Sequence, residues 1–353
     1  MKRQCKILIL LILTPFLGHA VDTNFLHSKE KNIKKAYYVN PDAALLIENS
    51  YGNITVTTWN EDKIELNISI KVSGDNENWL NQRIETIAVE IVALKGMISA
   101  KTILGNPSYK SPGKNNSFEI NYTIKIPKNG NVKLNNKYGN ISTTDLLADA
   151  DIKCKYGKIT LGRLSGNSTI QMEYCSNSSI VFLKNGIITA KYSNLKIGEV
   201  TKLNLISDYT DIEIEESDAI KYNSTYGKIR IQNVKTLDAM GNYLTIQIGE
   251  VFDYLKLNTN YSSVALQTIN TKANSVDIVA RYTGINIGYN PNFAFDFNIA
   301  LKYCNFKYDN KLEINLKEEA SNSKKYSGYH KKKGLNNLNI ISDYGNVTLT
   351  RNQ

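Results

Sequence analysis

The chain is 353 residues long, with 43 Lys and Arg against 33 Asp and Glu and a formal net charge of +10. That length is large for one compact core but not for a body that grows linearly. Only His27 and His330 lie beyond the first twenty residues, so a Ser or Cys nucleophile has no base within the rigid part, and neither a metal-spaced His/Cys cluster nor a Gly-rich phosphate loop is present.

Residues 1–20 read as a secretory signal: Lys2, Arg3 and Lys6 start it, Ile7 to Leu13 form its apolar run, and Gly18-His19-Ala20 make a small-residue cleavage site. The apolar run is too short to span a bilayer. Cys5 precedes that run and so cannot be the acylated cysteine of a lipoprotein. Residues 21–36, with Lys29, Lys31, Lys34 and Lys35, are expected to form a flexible basic entry segment. Residues 37–136 make an N-terminal β part. Strands are predicted at Ala44 to Ile47, Tyr51 to Thr58 and Ile64 to Val72, the last alternating strictly as IELNISIKV. Asn76 or Asn78 can cap an inserted helix over about 76–88, since Trp79, Leu80, Ile84 and Ile87 fall on one face. Strands resume at Val89 to Leu94, Met97 to Ile103 and Phe118 to Ile126, followed by a turn at Pro127-Lys128-Asn129-Gly130.

Residues 137–351 are organised by one recurring unit, a tyrosine followed by a short turn and a β-type run. It recurs at Tyr138, Tyr156, Tyr174, Tyr192, Tyr209, Tyr226, Tyr243, Tyr261, Tyr282 and Tyr303, at intervals of 17 to 21 residues, and Tyr51 and Tyr344 carry the same signature. A unit this short cannot bury its own apolar face and must stack on a neighbour, which makes the chain a solenoid. The expected fold is all-β: a single-chain parallel β-helix of about 17–21 residues per coil, with one short helix near its N-terminal end. Right-handed winding is the default for parallel crossovers.

Counted from each tyrosine, positions −6, −4, +3 and +5 hold aliphatic side chains, as a stacked core requires. The Tyr174 unit breaks the rule with Asn177 at +3, and Ile180 beyond it implies one inserted residue. Position −2 is small nearly everywhere. Tyrosines one coil apart can stack on each other. Exposed, they would offer a carbohydrate-stacking platform; parity with the inward −4 residue places them instead as an internal structural ladder. The same parity puts Cys154, two before a tyrosine, on the opposite face from Cys175, one after, so neither a disulfide nor metal ligation is expected and the thiols are read as packing residues. Outward Lys155, Glu173, Lys191 and Asp208 alternate in sign between coils, as do Lys196, Glu213 and Arg230.

Residues 317–334 are a basic insertion. Lys324, Lys325, Tyr326, Tyr329, Lys331, Lys332 and Lys333 interleave charge with aromatic rings and are the candidate contacts for an anionic polymer, with a solvated loop as the plainer reading. A last coil from Asn339 to Thr350 is expected to close the stack.

The SYGNITVTTW segment, a helix, the FEINYTIKIPK segment leading into NKYGNIST, and the serial tyrosine coils together resemble the bacterial putative adhesin β-solenoid family of exported proteins, over roughly Tyr37 to Arg351. The resemblance implies the architecture and an adhesin-like, non-enzymatic envelope or surface role, and brings no catalytic residues or cofactor. The expected partner is an anionic polysaccharide or other envelope component, not nucleic acid, and the expected location is periplasmic, outer-surface or secreted. A lyase or hydrolase acting on polysaccharide is the alternative, and it requires long loops that build a cleft.

Overall fold

A coil of some eighteen residues closes no core of its own, and its backbone groups find partners only on the coils above and below. The computed structural model, which describes residues 25–106 and 115–353, shows that stacking as one sheet of 23 strands with a single helix. The signal segment 1–20 lies outside the described residues. Pairing within the coils is parallel and nearly continuous in register. Val132–Lys137 lies between Ala44–Ser50 and Ala150–Lys155, and Asn194–Asp208 pairs along its length with the next coil from Asn194↔Asp211 to Asp208↔Thr225. The coils of Asp211–Asn260 are joined by continuous strand pairing that bends at Tyr226 and Tyr243. The predicted aliphatic rows form the core: Ile141, Ile159, Ile212 and Ile246 at +3, Ile197, Ile231 and Ile287 at +5, and Leu203, Leu237 and Leu255 at −6 are all buried. The extra residue of the Tyr174 unit is Asn177, at φ 52°, after which Ser178 pairs with Leu195 and the register is restored.

At both ends antiparallel strands extend the parallel stack. At the N-terminal end Asn116–Pro127 pairs with Lys63–Gly74, and His27–Tyr38 pairs with the other side of Lys63–Gly74. Residues 27–38 therefore form an ordered edge strand and not a flexible entry segment. Their side chains are nearly all exposed, so the strand lacks the apolar alternation by which strands are read and is held by its backbone partners. The helix is Glu77–Thr86, capped by Asn76, whose Oδ1 accepts from the Trp79 amide at 2.9 Å; Trp79, Leu80 and Ile84 face the core. Buried Arg83 donates to the Leu104 carbonyl at 2.8 Å and lies over the Phe118 ring at 4.2 Å.

The C-terminal end departs from the expected order. Asn336–Asp343 slots between Ser275–Arg281 and Phe295–Lys302, and Val347–Arg351 slots between Gly284–Tyr289 and Phe306–Tyr308. The last coil in sequence is thus the penultimate coil in space. The 41 residues from Tyr303 to Tyr344 are not two further coils. They leave the stack as a hairpin, Glu313–Glu319 with Ser323–His330, which lies antiparallel on Phe295–Lys302, and then return.

Candidate functional site

Every tyrosine of the series sits in the left-handed region, with φ between 46° and 62° from Tyr51 to Tyr344. For a bulky residue this conformation is disfavoured by roughly 1–2 kcal/mol. Its geometric effect is to reverse the alternation. In the Tyr192 coil Ala190 is buried, Lys191 and Tyr192 are both exposed, and Ser193 is buried again. The tyrosines therefore project outward from a corner, with exposures between 38% and 57%. They are a structural ladder, but the internal placement expected from parity is wrong, because parity assumes a strand that continues through the tyrosine.

The residue that turns inward at each corner is the one after the tyrosine, and there is little space for it. An ideal Cβ on Gly139 would lie 1.9 Å from the Gly52 carbonyl oxygen, and one on Gly345 would lie 2.0 Å from that of Thr283. Where the position is not glycine it is small except at Leu244, and its hydroxyls link the coils. The Ser193 hydroxyl donates to the Lys191 carbonyl at 2.7 Å and accepts from the Cys175 amide at 3.0 Å; Thr210 and Thr283 make the same bond to the carbonyl two residues back. Position +2 adds side-chain oxygens that accept from the next coil, as Asn53 does from the Asn140 amide at 3.0 Å and Asp211 from the Lys228 amide at 2.8 Å.

With the corners fixed, the rings stack in one row: Tyr51, Tyr138, Tyr156, Tyr174, Tyr192, Tyr209, Tyr226, Tyr243, Tyr261, Tyr282, Tyr344 and Tyr303. Centroids are 4.5–5.1 Å apart and ring planes lie within 18° of parallel. Phe118 closes the N-terminal end, 4.9 Å from Tyr51 and tilted by 53°. From Tyr51 to Tyr344 each ring face is covered by its neighbour, and Tyr303 ends the row. What remains accessible is a row of ring edges and phenol groups about 50 Å long at ~4.8 Å per rung.

Beside the rungs from Tyr138 to Tyr192 runs a shallow groove of about 370 Å³ lined by Lys137, Lys153, Lys155 and Lys191 with Gln171, Thr189 and a single carboxylate, Glu173. Lys155 is engaged with Glu173 at 3.0 Å, which raises its pKa, and lies 5.1 Å from the Tyr156 ring centre. Among the described residues no carboxylate lies within 4.0 Å of the Lys137, Lys153 or Lys191 ammonium groups. On the next face a groove of about 500 Å³ holds Asp211 and Glu213 among Lys196, Lys228 and Arg230. Lys196 bonds Glu215 at 2.7 Å and reaches Glu213 at 4.0 Å, while Arg230 turns to Gln247 at 3.1 Å.

The basic insertion is a paired hairpin. Lys324 stands opposite Glu319 and Lys325 opposite Glu318, so its charge is largely matched. Tyr326 is buried and donates to Glu319; burial and that carboxylate push its phenol well above the usual range, and the same bond holds Glu319 below the usual carboxylate range. Tyr329 is half-buried, and His330 is buried with its Nδ1 at 2.5 Å from the Phe293 carbonyl. Lys331, Lys332 and Lys333 form the exposed turn after the hairpin, with Lys331 at φ 61° and bonded to Asn292 at 2.8 Å. The structure thus removes Tyr326 from any contact surface and keeps only the three-lysine turn together.

The thiols also differ from expectation. The corner at Tyr174 turns Cys175 to the same inner side as Cys154 of the preceding coil, and the Cys175 sulfur lies 3.3 Å from the Cys154 carbonyl oxygen. The Cys154 thiol is pushed up first by its hydrogen bond with the Cys175 thiol and then by burial. Cys154, Cys175 and Cys304 are all free. Among the described residues no group of three His, Cys, Asp or Glu side chains could hold a metal ion, and no helix is long and apolar enough to cross a membrane.

Three solved structures cover nearly the whole chain at low identity. A putative cell adhesion protein from Clostridium sporogenes is 12% identical, with 92% of this chain and 100% of that one covered and a TM-score of 0.19. A putative adhesin from Bacteroides fragilis is 13% identical over 91% and 97%, with a TM-score of 0.23, and one from Parabacteroides distasonis is 9% identical over 91% and 97%, with a TM-score of 0.26. No curated protein matches. The family model described as Toastrack DUF4097 matches residues 43–350, so the chain belongs to the Toastrack DUF4097 family.

Proposed function

We propose that the protein is an exported, non-enzymatic module of the cell envelope or cell surface that binds an external component in an adhesin-like way. The observation that carries this reading is the exposed row of twelve tyrosines along one edge of a rigid stack. Repetition of one outward aromatic at every coil gives a long, regular surface suited to an extended partner, whereas a catalytic site needs a few unlike groups converging on one atom. The first twenty residues supply the export signal in this reading, and the mature chain begins at Val21. The lyase or hydrolase alternative needs long loops that wall a cleft, and the coils from Tyr138 to Tyr282 are joined without them.

The test has two parts. Expression in a bacterial host with recovery from the periplasm or medium, followed by N-terminal mass analysis, should find Val21 as the first residue. Retention of the fluorescently labelled protein on bacterial cells, envelope fractions and a glycan array should exceed that of a heat-unfolded control. Retention on none of these surfaces sinks the binding reading, and glycan turnover abolished by one carboxylate substitution replaces it with the enzyme.

A further inference from the structure

We propose that the ladder from Tyr138 to Tyr192 and the groove beside it take a segment of an extended acidic polysaccharide; this rests on the surface-binding reading above. Three observations point there. First, the groove is net positive, with four lysines and one carboxylate that Lys155 already holds; Lys191 stands between Glu173 and Asp208 in the register, but no acid stands beside Lys137 or Lys153. On the hairpin, Lys324 and Lys325 both face an acid in the register, Glu319 and Glu318, and the Lys324 ammonium bonds Asn305. Second, the spacing excludes a compact ligand. Lys137 and Lys191 flank rungs three coils apart, which at ~4.8 Å per coil is about 14 Å, so one ligand reaching both must be extended. The straightness of the row, with ring planes here within 8° of each other, suits a linear repeating chain better than the curved surface of a globular partner.

Third, the accessible chemistry is polar. Because the ring faces are covered, a sugar cannot lie flat on them, and the usual stacking of carbohydrate on an aromatic face is closed off. The edges present phenol hydroxyls, and the groove adds the Gln171 amide, the Asn135 amide and the Thr189 hydroxyl beside the lysines. Hydroxyls and amides bind sugar hydroxyls, and ammonium groups bind the carboxylate or sulfate that recurs along the polymer. A base-stacking nucleic acid has no open ring face to use within this section.

The experiment measures binding of the purified protein to polygalacturonate and heparin, with dextran as the neutral control and polyphosphate and duplex DNA as other polyanions, at two salt concentrations. Lys137→Ser/Lys153→Ser/Lys191→Ser is compared with the charge-matched Lys331→Ser/Lys332→Ser/Lys333→Ser, and with Tyr156→Phe/Tyr174→Phe, which keeps the stack and removes two hydroxyls. All six positions in the two lysine variants are at the surface, and circular dichroism confirms that each variant is folded. The expected result is binding to polygalacturonate or heparin that weakens with salt, falls at least tenfold in the groove variant, at least twofold in the phenylalanine variant and less than twofold in the turn variant.

Equal losses in the two lysine variants overturn the location. Equal affinity for polyphosphate or DNA overturns the polysaccharide in favour of a general polyanion sink. Binding to dextran alone, or to neither acidic polysaccharide, overturns the ligand class. The two readings fail separately: if the wild type is retained on cell surfaces and the groove variant is retained equally, this inference falls while the surface-binding role stands.

Discussion

Replacing Tyr192 by alanine and by glycine tests the left-handed corner directly, because the two substitutions should rank in the order opposite to that of an ordinary strand. The Tyr192 ring is 47% exposed, and its centroid is 4.9 Å from Tyr174 and 5.1 Å from Tyr209. About half of a tyrosine's surface, on the order of 100 Å², is thus withdrawn from water, worth ~2.5 kcal/mol at about 25 cal/mol per Å². Two ring contacts add roughly 1–3 kcal/mol. Both variants lose these contributions. Alanine keeps the strain of φ 48°. Glycine relieves roughly 1–2 kcal/mol of it and loses ~0.5–1 kcal/mol through greater chain entropy in the unfolded state. Tyr192→Gly should therefore be more stable than Tyr192→Ala by about 0.5–1 kcal/mol. At neighbouring Lys191, an exposed strand position without positive φ, alanine should be the more stable by a similar amount. Urea unfolding gives the global values. Hydrogen exchange of the amides in this coil gives the local ones, which matter because a solenoid can open coil by coil. Alanine equal to or better than glycine at position 192 would refute the strained corner and, with it, the explanation of why the tyrosines face outward.

Gly139→Ala should destabilise by more than about 2 kcal/mol, since its Cβ would meet the Gly52 carbonyl oxygen at 1.9 Å, whereas Gly284→Ala, with nothing within 4 Å on an exposed strand, should raise stability by about 0.5–1 kcal/mol; thermal melts of the pair decide it. Tyr222→Phe should leave stability unchanged or raise it by about 1 kcal/mol in urea titration, because the Tyr222 hydroxyl is buried without a hydrogen-bond partner; a loss above about 1 kcal/mol would show that the hydroxyl is satisfied. Burial pushes the Tyr122 phenol up to about 12 against an unfolded value near 10, so its contribution is intact below pH 10 and disappears as pH rises from 10 to 12. Urea midpoints should accordingly fall over that window, and Tyr122→Phe should fall less steeply than the wild type.

The core was legible because its signal is periodic: Ile212, Ile229 and Ile246 recur at one offset from a tyrosine and are buried at that offset. The ladder itself was legible, but the side on which it lies was not. Period-2 alternation holds only while the backbone stays extended, and one residue in the left-handed region reverses it. The signal that marks the reversal is the residue after each tyrosine, which is small in eleven of the twelve units, from Gly52 and Gly139 to Thr283, Cys304 and Gly345, with Leu244 the exception. A run of small residues at one offset indicates a crowded inner corner, and an inner corner at +1 requires its tyrosine to point out.

Pairing between distant segments was the other blind spot. The exposed side chains of His27–Tyr38 carry no apolar period, so that strand is fixed only by its partner Lys63–Gly74. The candidate site moved for a similar reason. Lys324 and Lys325 look like concentrated charge in the sequence, and only the hairpin register sets Glu319 and Glu318 opposite them. In the groove the reverse holds: Lys137, Lys155 and Lys191 are eighteen residues or more apart in sequence and one to three coils apart in space.

The stability of the stack accounts for the inner half of each ring and leaves the outer half unexplained. With exposures of 38–57%, each tyrosine presents about 100 Å² of edge and hydroxyl to water, or on the order of 1,000 Å² along the row. A shorter side chain at the same corner would expose less, and the smaller residues already present at +1 show that the fold accommodates them one position away. Under the proposed surface-binding role, this outward row is what an external partner would meet. Since neighbouring rings occupy each other's faces, such a partner would meet hydroxyls and edges, which would favour a ligand rich in hydrogen-bonding groups over an apolar one.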